Sequence, residues 1–167
     1  GGKDYAFGGA HTGSGSVSHF PFTFPNIGTQ ISTFLSGNTP NANQLFAVWG
    51  RGNDFFDNLA TNPQTPVTNI ANHITALANA GAHDFLVPNL PLLGEVPDYR
   101  GTASSGTLDS LSTQFDSLLA TTLTNLKSSL NVNIYQLDVL STFNDILGNP
   151  AKYGFTNVTQ PAYNGST

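Results

Sequence analysis

Two residues that can donate hydrogen bonds follow short apolar segments of this chain. Gly9 lies in a glycine-rich turn after Tyr5–Phe7, and Asn53 follows the apolar run Leu45–Trp49. A backbone N–H in a tight turn and a side-chain amide can both stabilise an oxygen that gains negative charge during acyl transfer. The two residues are therefore candidate donors of an oxyanion hole, provided that the fold brings them together.

The elements that must position these residues are predicted by the apolar pattern. A continuous apolar run such as Leu45–Trp49 is typical of a strand buried on both faces of a parallel sheet. The alternation of strands and helices predicts an α/β fold with a parallel sheet and right-handed crossovers. In chain order we predict a strand end at Tyr5–Phe7, a helix containing Ile27, Ile31, Phe34 and Leu35, a strand at Leu45–Trp49, a helix from Thr65 to Gly81, a strand at Phe85–Val87, a core helix near 108–130, a strand at Asn133–Leu137 and a helix at about 138–147.

Ligands of open parallel sheets bind beyond the carboxyl ends of the strands. Besides Gly9 and Asn53, these ends carry Asn89 and Leu90, which we predict to line the substrate pocket. His11, two residues after Gly9, is a further candidate for substrate contact. Each of these candidate site residues also has a purely structural interpretation. Glycine and asparagine are common turn formers, and a proline-flanked segment can simply end a strand.

Four sequence segments carry a resemblance to a known family. They are Asp4–Ala10, Val48–Asp54, Phe85–Gly94 and Phe143–Thr159. The first two are similar to the second and third conserved blocks of the GDSL, or SGNH, hydrolases, the third block having the core Gly-x-Asn-Asp. The last two resemble segments of the lipase branch of that family. The four segments occur in the same order as in the family and span nearly the whole chain. The chain therefore resembles the middle portion of a secreted GDSL-type serine esterase or lipase.

The resemblance implies a three-layer α/β/α fold with a flavodoxin-like parallel sheet. It implies that the Gly9 N–H and the Asn53 amide bind the oxyanion and that no cofactor is needed. The nucleophile of the family is a serine in a Gly-Asp-Ser motif, and its base is a histidine in an Asp-x-x-His motif. Neither motif occurs in these 167 residues. The catalytic serine and the Asp/His pair are therefore expected outside this sequence.

The lack of a nucleophile block has a structural consequence. In the sheet of the family, the nucleophile strand lies between the strands that end at Gly8 and Asn53. Unpaired backbone groups on those strands would cost about 1–3 kcal/mol each, against a total stability of about 5–15 kcal/mol. We therefore expect that the single domain spanning 1–167 is completed by another segment or a second chain. Truncation, circular permutation and assembly from two chains stay open.

Composition argues against several classes of partner. Only 9% of the residues are charged, the net charge is −5, and no run of Lys or Arg could follow a nucleic-acid backbone. No stretch approaches the ~20 apolar residues that span a bilayer, so stable membrane insertion is not expected. There is no cysteine, and no histidine or carboxylate spacing is typical of a metal site. A polar surface made of Asn, Ser, Thr and Gln is common on exported proteins, which favours a secreted or cell-surface location.

Other polar and aromatic residues receive weaker assignments. Asp54 is expected to order its loop, and His73 to lie on the surface of its helix. Asn157 and Asn164 begin glycosylation patterns that chance alone would produce in an Asn-rich chain. Apolar walls for an acyl chain are expected from Phe20, Phe22, Phe24, Phe55 and Phe56.

Two functions fit these observations. The first is a serine-class carboxylic ester hydrolase acting on a small ester or lipid. The alternative is a catalytically inactive, hydrolase-like module that binds carbohydrate or lipid. The family resemblance favours the first function, and the missing serine and histidine motifs favour the second.

Overall fold

A computed structural model describes residues 2–58 and 60–162 as a mixed α/β fold. The Asn164 glycosylation pattern lies outside these residues. No helix in the described residues is long and apolar enough to cross a membrane. In chain order the elements are β1 (Ser16–His19), β2 (Phe22–Pro25), α1 (Ile27–Gly37), β3 (Leu45–Ala47), α2 (Gly52–Asp57), α3 (Gln64–Asn79), β4 (Asp84–Pro88), α4 (Ser105–Leu130), β5 (Asn133–Leu137) and α5 (Val139–Gly148), with short 3₁₀ turns at Leu93–Glu95 and Pro150–Tyr153.

The central sheet has three parallel strands in the order β3-β4-β5. Phe46 of β3, Phe85 of β4 and Ile134 of β5 lie side by side in its register. Parallel neighbours need long crossover connections, and α3 and α4 provide them here. The predicted α/β class and parallel sheet are confirmed.

The core lies on one face of this sheet. Phe85 and Val87 alternate along β4 on that face, and neither has any exposed surface. They pack against the apolar stripes of α1, α3 and α4, as the helical spacing in the sequence predicts. The core residues of the three helices are Ile27, Val67, Ile70, Ile74, Leu77, Leu108, Leu111, Phe115, Leu119 and Leu123.

The opposite face of the sheet is open in the part of the chain that the structure describes. Leu45 on β3 and Tyr135 on β5 are 60% and 55% exposed, and Leu137 is exposed as well. The prediction that Leu45–Trp49 is buried on both faces is therefore wrong. Its physical reason is that β3 is the edge strand of the described sheet and only one layer of helices is packed on it.

The first 25 residues differ most from the prediction. Tyr5–Phe7 is not a strand, because no described strand pairs with it. Instead β1 and β2 form an antiparallel hairpin with Ser16 opposite Pro25 and His19 opposite Phe22. These strands have only four residues each, too short for a clear period-two pattern. The six-residue helix α2 is likewise too short for a helical repeat to appear in the sequence.

Candidate functional site

A cavity of about 350 Å³ lies between the Gly9 turn, the start of α2 and the loop that follows β4. Three predicted site residues, Gly9, Asn53 and Leu90, share its wall. The other two, His11 and Asn89, are not among its lining residues. The described residues that line it are Ala6, Phe7, Gly8, Gly9, Ala10, Ile27, Gln30, Trp49, Gly50, Arg51, Gly52, Asn53, Leu90, Pro91 and Leu93.

The turn around Gly9 needs glycine. Gly9 has a φ of +86°, and the Ala10 N–H closes the turn on the Phe7 carbonyl at 3.3 Å. A Cβ atom on Gly9 would also lie 3.2 Å from Cδ2 of His19. Among the described residues, no protein group accepts a hydrogen bond from the Gly9 N–H. Gly9 therefore lies on the cavity wall with an N–H that no described protein group uses.

Asn53 is tied to the same turn from the first turn of α2. Its Nδ2 donates to the Ala10 carbonyl oxygen at 3.0 Å. A carboxamide nitrogen carries two N–H groups, and the second has no partner in the described part of the chain. The cavity wall thus holds two unused donors from adjacent segments, the arrangement that could stabilise an oxyanion.

Thr12 fixes the loop that leaves Gly9. Its side chain is fully buried, and its N–H and Oγ1 both donate to the Asp54 carboxylate, at 3.1 Å and 2.8 Å. Asn69 of α3 donates to Thr12 Oγ1 at 3.0 Å, and Nε2 of His73 lies 2.7 Å from the Thr12 carbonyl oxygen. Helices α2 and α3 therefore hold this loop from both sides, and Asp54 orders it as expected.

His73 is not the surface residue that the sequence predicts. It is buried, and its imidazole lies against Gly28 as well as Thr12. Burial lowers the pKa of His73 below its ordinary value, and the hydrogen bond to the Thr12 carbonyl opposes this shift. His73 is therefore neutral at pH 7 and donates its Nε2 proton to Thr12.

Acid is expected to destabilise the protein through His73. In the unfolded chain this imidazole binds a proton near pH 6.5, whereas the folded protein takes it up only at lower pH. The unfolded state then binds more protons, so the stabilisation is complete above about pH 6.5 and is lost as pH falls toward the folded pKa. Urea unfolding at pH 7.5 and pH 5.5 measures this loss. His73→Gln, which keeps a donor without a titrating ring, should lose less stability over this range. Equal losses in the two proteins contradict the assignment.

Arg51 adds a buried charge behind the cavity. Its guanidinium is fully buried between the rings of Phe55 and Phe115, and its nitrogens have no hydrogen-bond partner among the described residues. Burial lowers the pKa of Arg51 to about 8, while Asp116 and Asp54 oppose this shift. Arg51 also has a φ of +123°, which L residues rarely adopt.

Asp116 of α4 holds the other wall of the cavity. Its Oδ1 accepts the Leu90 N–H at 2.9 Å, and its Oδ2 is buried without a partner in the described chain. Burial raises the pKa of Asp116 to about 6, and the Leu90 N–H and Arg51 oppose this shift. Asp116 therefore holds the loop of Leu90 on α4, and its charge acts on Arg51 without a direct hydrogen bond between the two side chains in the described residues.

His11 and Asn89 make structural contacts outside the cavity wall. Nε2 of His11 is 2.7 Å from Oδ2 of Asp57, and Nε2 of His19 is 3.7 Å from the same oxygen. Asn89 Oδ1 accepts the Val139 N–H at 2.6 Å, at the start of α5. In the described residues, no group of three or more His, Asp or Glu side chains is arranged to hold a metal ion.

The aromatic side chains expected as pocket walls do not line the cavity. Phe20 and Phe22 are exposed, Phe55 belongs to the core, and Phe56 stacks on Tyr99 with ring centroids 4.7 Å apart. Phe24, the fifth, packs in the β1–β2 hairpin. Phe7, Trp49 and Gln30 line the cavity instead. No local pattern in the sequence marks Gln30, because its place on the cavity wall depends on α1 lying beside the Gly9 turn.

Comparison with known proteins identifies a partial relative of this chain. No protein family matches the sequence. Over 122 residues the chain is 29% identical to an uncharacterized protein in the trpE-trpG intergenic region of Pseudomonas putida. This match covers 71% of the chain and 20% of the relative. The chain thus spans about a fifth of the length of this relative.

Proposed function

We propose that this chain supplies the oxyanion-binding segment of a serine-class carboxylic ester hydrolase of the GDSL type. One observation carries the proposal: the unused N–H groups of Gly9 and Asn53 lie on the wall of one cavity. Hydrolysis of a small ester or a lipid ester passes through a tetrahedral oxyanion, and two fixed donors stabilise it more than they stabilise the substrate carbonyl. No cofactor takes part. The uncharged polar composition favours a secreted or cell-surface enzyme.

The proposal includes completion of the sheet by another segment or chain. The outer edge of β3 has no partner among the described strands, and the sheet face bearing Leu45 and Tyr135 is exposed. A strand beside β3 and a helix on this face would give the three-layer α/β/α arrangement. The strand would end near Gly9 and Asn53, where a nucleophilic serine is needed.

A specific observation favours the alternative function, a hydrolase-like module that binds carbohydrate or lipid without catalysis. Among the described residues, those that line the cavity include no Ser, Cys or His. The alternative keeps the same cavity and needs no second segment.

A serine-reactive probe separates the two functions. The protein as it is naturally produced is treated with a fluorophosphonate and assayed with p-nitrophenyl butyrate. The esterase predicts turnover, stoichiometric labelling of one serine and loss of turnover after labelling. A folded protein that is neither labelled nor active would contradict the esterase function and support the binding module.

A further inference from the structure

Gln30 is a buried polar residue on the wall of the cavity, and the oxyanion site does not use it. It lies in the first turn of α1, is 8% exposed and lines the cavity together with Gly9 and Asn53. Its Nε2 donates to the Pro25 carbonyl oxygen at 2.7 Å. Because a carbonyl oxygen can only accept a hydrogen bond, the amide nitrogen of Gln30 must face Pro25 and the amide oxygen, Oε1, must face away from it.

The Oε1 atom of Gln30 is a hydrogen-bond acceptor that no described residue uses. It is not sealed in the core, because the fully buried side-chain atoms without a partner in the described chain belong to Arg51 and Asp116. The remaining exposed surface of Gln30 therefore opens into the cavity that this residue lines. The cavity thus offers an acceptor in addition to the donors of Gly9 and Asn53.

An acceptor on the cavity wall selects among ligands. A ligand that displaces water from the cavity leaves Oε1 of Gln30 without a hydrogen bond, unless the ligand itself carries a donor. The two oxygen atoms of an ester group only accept hydrogen bonds, so the ester group cannot serve this acceptor. A hydroxyl group can, since its O–H donates. A site with such a polar group discriminates against an analogue that lacks the matching hydroxyl.

We propose that Gln30 is a specificity-determining residue and that the cavity takes a hydroxyl-bearing ester, whose O–H donates to Oε1 of Gln30. Esters of sugars and other polyols have this chemistry, as do esters of hydroxy acids, whereas simple alkyl and aryl esters do not. Cleavage of the ester rests on the proposed esterase function. Selection of the hydroxyl does not, because a binding module would use the same acceptor.

The test compares esters that differ only in a donor. 2-Hydroxyethyl butyrate is paired with 2-fluoroethyl butyrate, and ethyl 3-hydroxybutyrate with ethyl 3-fluorobutyrate, because fluorine is similar to a hydroxyl group in size but cannot donate. The ratio of kcat/KM for the hydroxy ester to that for the fluoro ester is measured for the natural protein and for Gln30→Leu. In one pair this ratio should fall about tenfold in the variant, since a ligand hydrogen bond to a buried acceptor is lost. The pair that responds shows whether the hydroxyl belongs to the alcohol or to the acyl part.

The ratio within a pair is independent of the fraction of protein that is folded. Loss of the hydrogen bond to Pro25 in Gln30→Leu therefore cannot imitate the expected result. Gln114→Leu is the matched control, because it removes an amide from the exposed face of α4. This control should keep both ratios of the natural protein.

The outcomes separate hydroxyl selection from catalysis. If no ester is hydrolysed, the esterase function is rejected, and the same pairs are compared as ligands by saturation-transfer NMR. A hydroxyl preference in binding that Gln30→Leu removes then keeps the inference. Ratios that Gln30→Leu leaves unchanged in both pairs overturn it, even when activity on every ester falls equally, because Gln30 then serves the fold or the completing segment. Failure of every ester to bind overturns it as well.

Discussion

Asn53→Ala is expected to lower kcat for p-nitrophenyl butyrate by about 10²–10³-fold, the usual effect of removing one oxyanion donor. Asn53 shares the cavity wall with Gly9, and its second N–H has no other use in the described chain. Such a donor acts mainly on the charge that develops in the transition state. KM should therefore change little, and steady-state kinetics on the natural protein measure both constants.

Two controls show whether the loss of kcat is specific to the Asn53 amide. Asn125→Ala removes an amide from the exposed face of α4 and should leave kcat unchanged. Asn53→Ala also removes the hydrogen bond to the Ala10 carbonyl, which costs about 1 kcal/mol of stability, so kcat is measured well below the unfolding transition. A kcat within threefold of wild type would remove Asn53 from the oxyanion site.

Gly94→Ala is expected to destabilise the protein by about 3 kcal/mol, at the upper end of the usual cost of overpacking. A Cβ on Gly94 would collide with the backbone carbonyl oxygen of Ser105 and lie 2.7 Å from Oδ1 of Asp109. These atoms belong to the first two turns of α4, which Leu108 and Leu111 anchor in the core. The backbone therefore cannot move away cheaply. Urea unfolding followed by circular dichroism measures the loss.

Gly106→Ala is the matched control for this substitution. Gly106 lies in α4 and a Cβ there meets nothing within 4 Å. Alanine should stabilise the helix by up to about 1 kcal/mol, because glycine loses more backbone entropy on folding. If both variants lose similar stability, the close packing of the Gly94 turn on α4 is not the cause.

The sequence predicts the fold best where apolar residues repeat over several turns. The stripes of α3 and α4 and the short apolar strand β4 are long or distinct enough to be recognised, and all three are confirmed. The β1–β2 hairpin and α2 are too short for a periodic signal. The exposure of Leu45 could not be predicted either, since an apolar run does not show whether the sheet has a layer on each face.

The sequence predicts several of the residues that meet at the cavity, but not the contacts that each of them makes. Asn53 and Leu90 meet because the parallel strands β3 and β4 bring their carboxyl ends to one edge, whereas Gly9 reaches the same cavity from a turn that follows no described strand. His11 and Asn89 are predicted on the same grounds, but their side chains do not line the cavity. They form hydrogen bonds with Asp57 and with the start of α5 instead. Long-range partners of this kind have no signature in local sequence. The buried His73, whose helix position suggested the surface, is another instance.

The central claim is that Gly9 and Asn53 together bind an oxyanion, and a crystal structure of a phosphonylated adduct tests it most directly. The natural protein is reacted with a fluorophosphonate, whose phosphoryl oxygen mimics the oxyanion of the tetrahedral intermediate. We predict that this oxygen lies about 2.7–3.1 Å from both the Gly9 nitrogen and Asn53 Nδ2. An adduct on a serine remote from the cavity, or a phosphoryl oxygen that meets neither donor, would contradict the account.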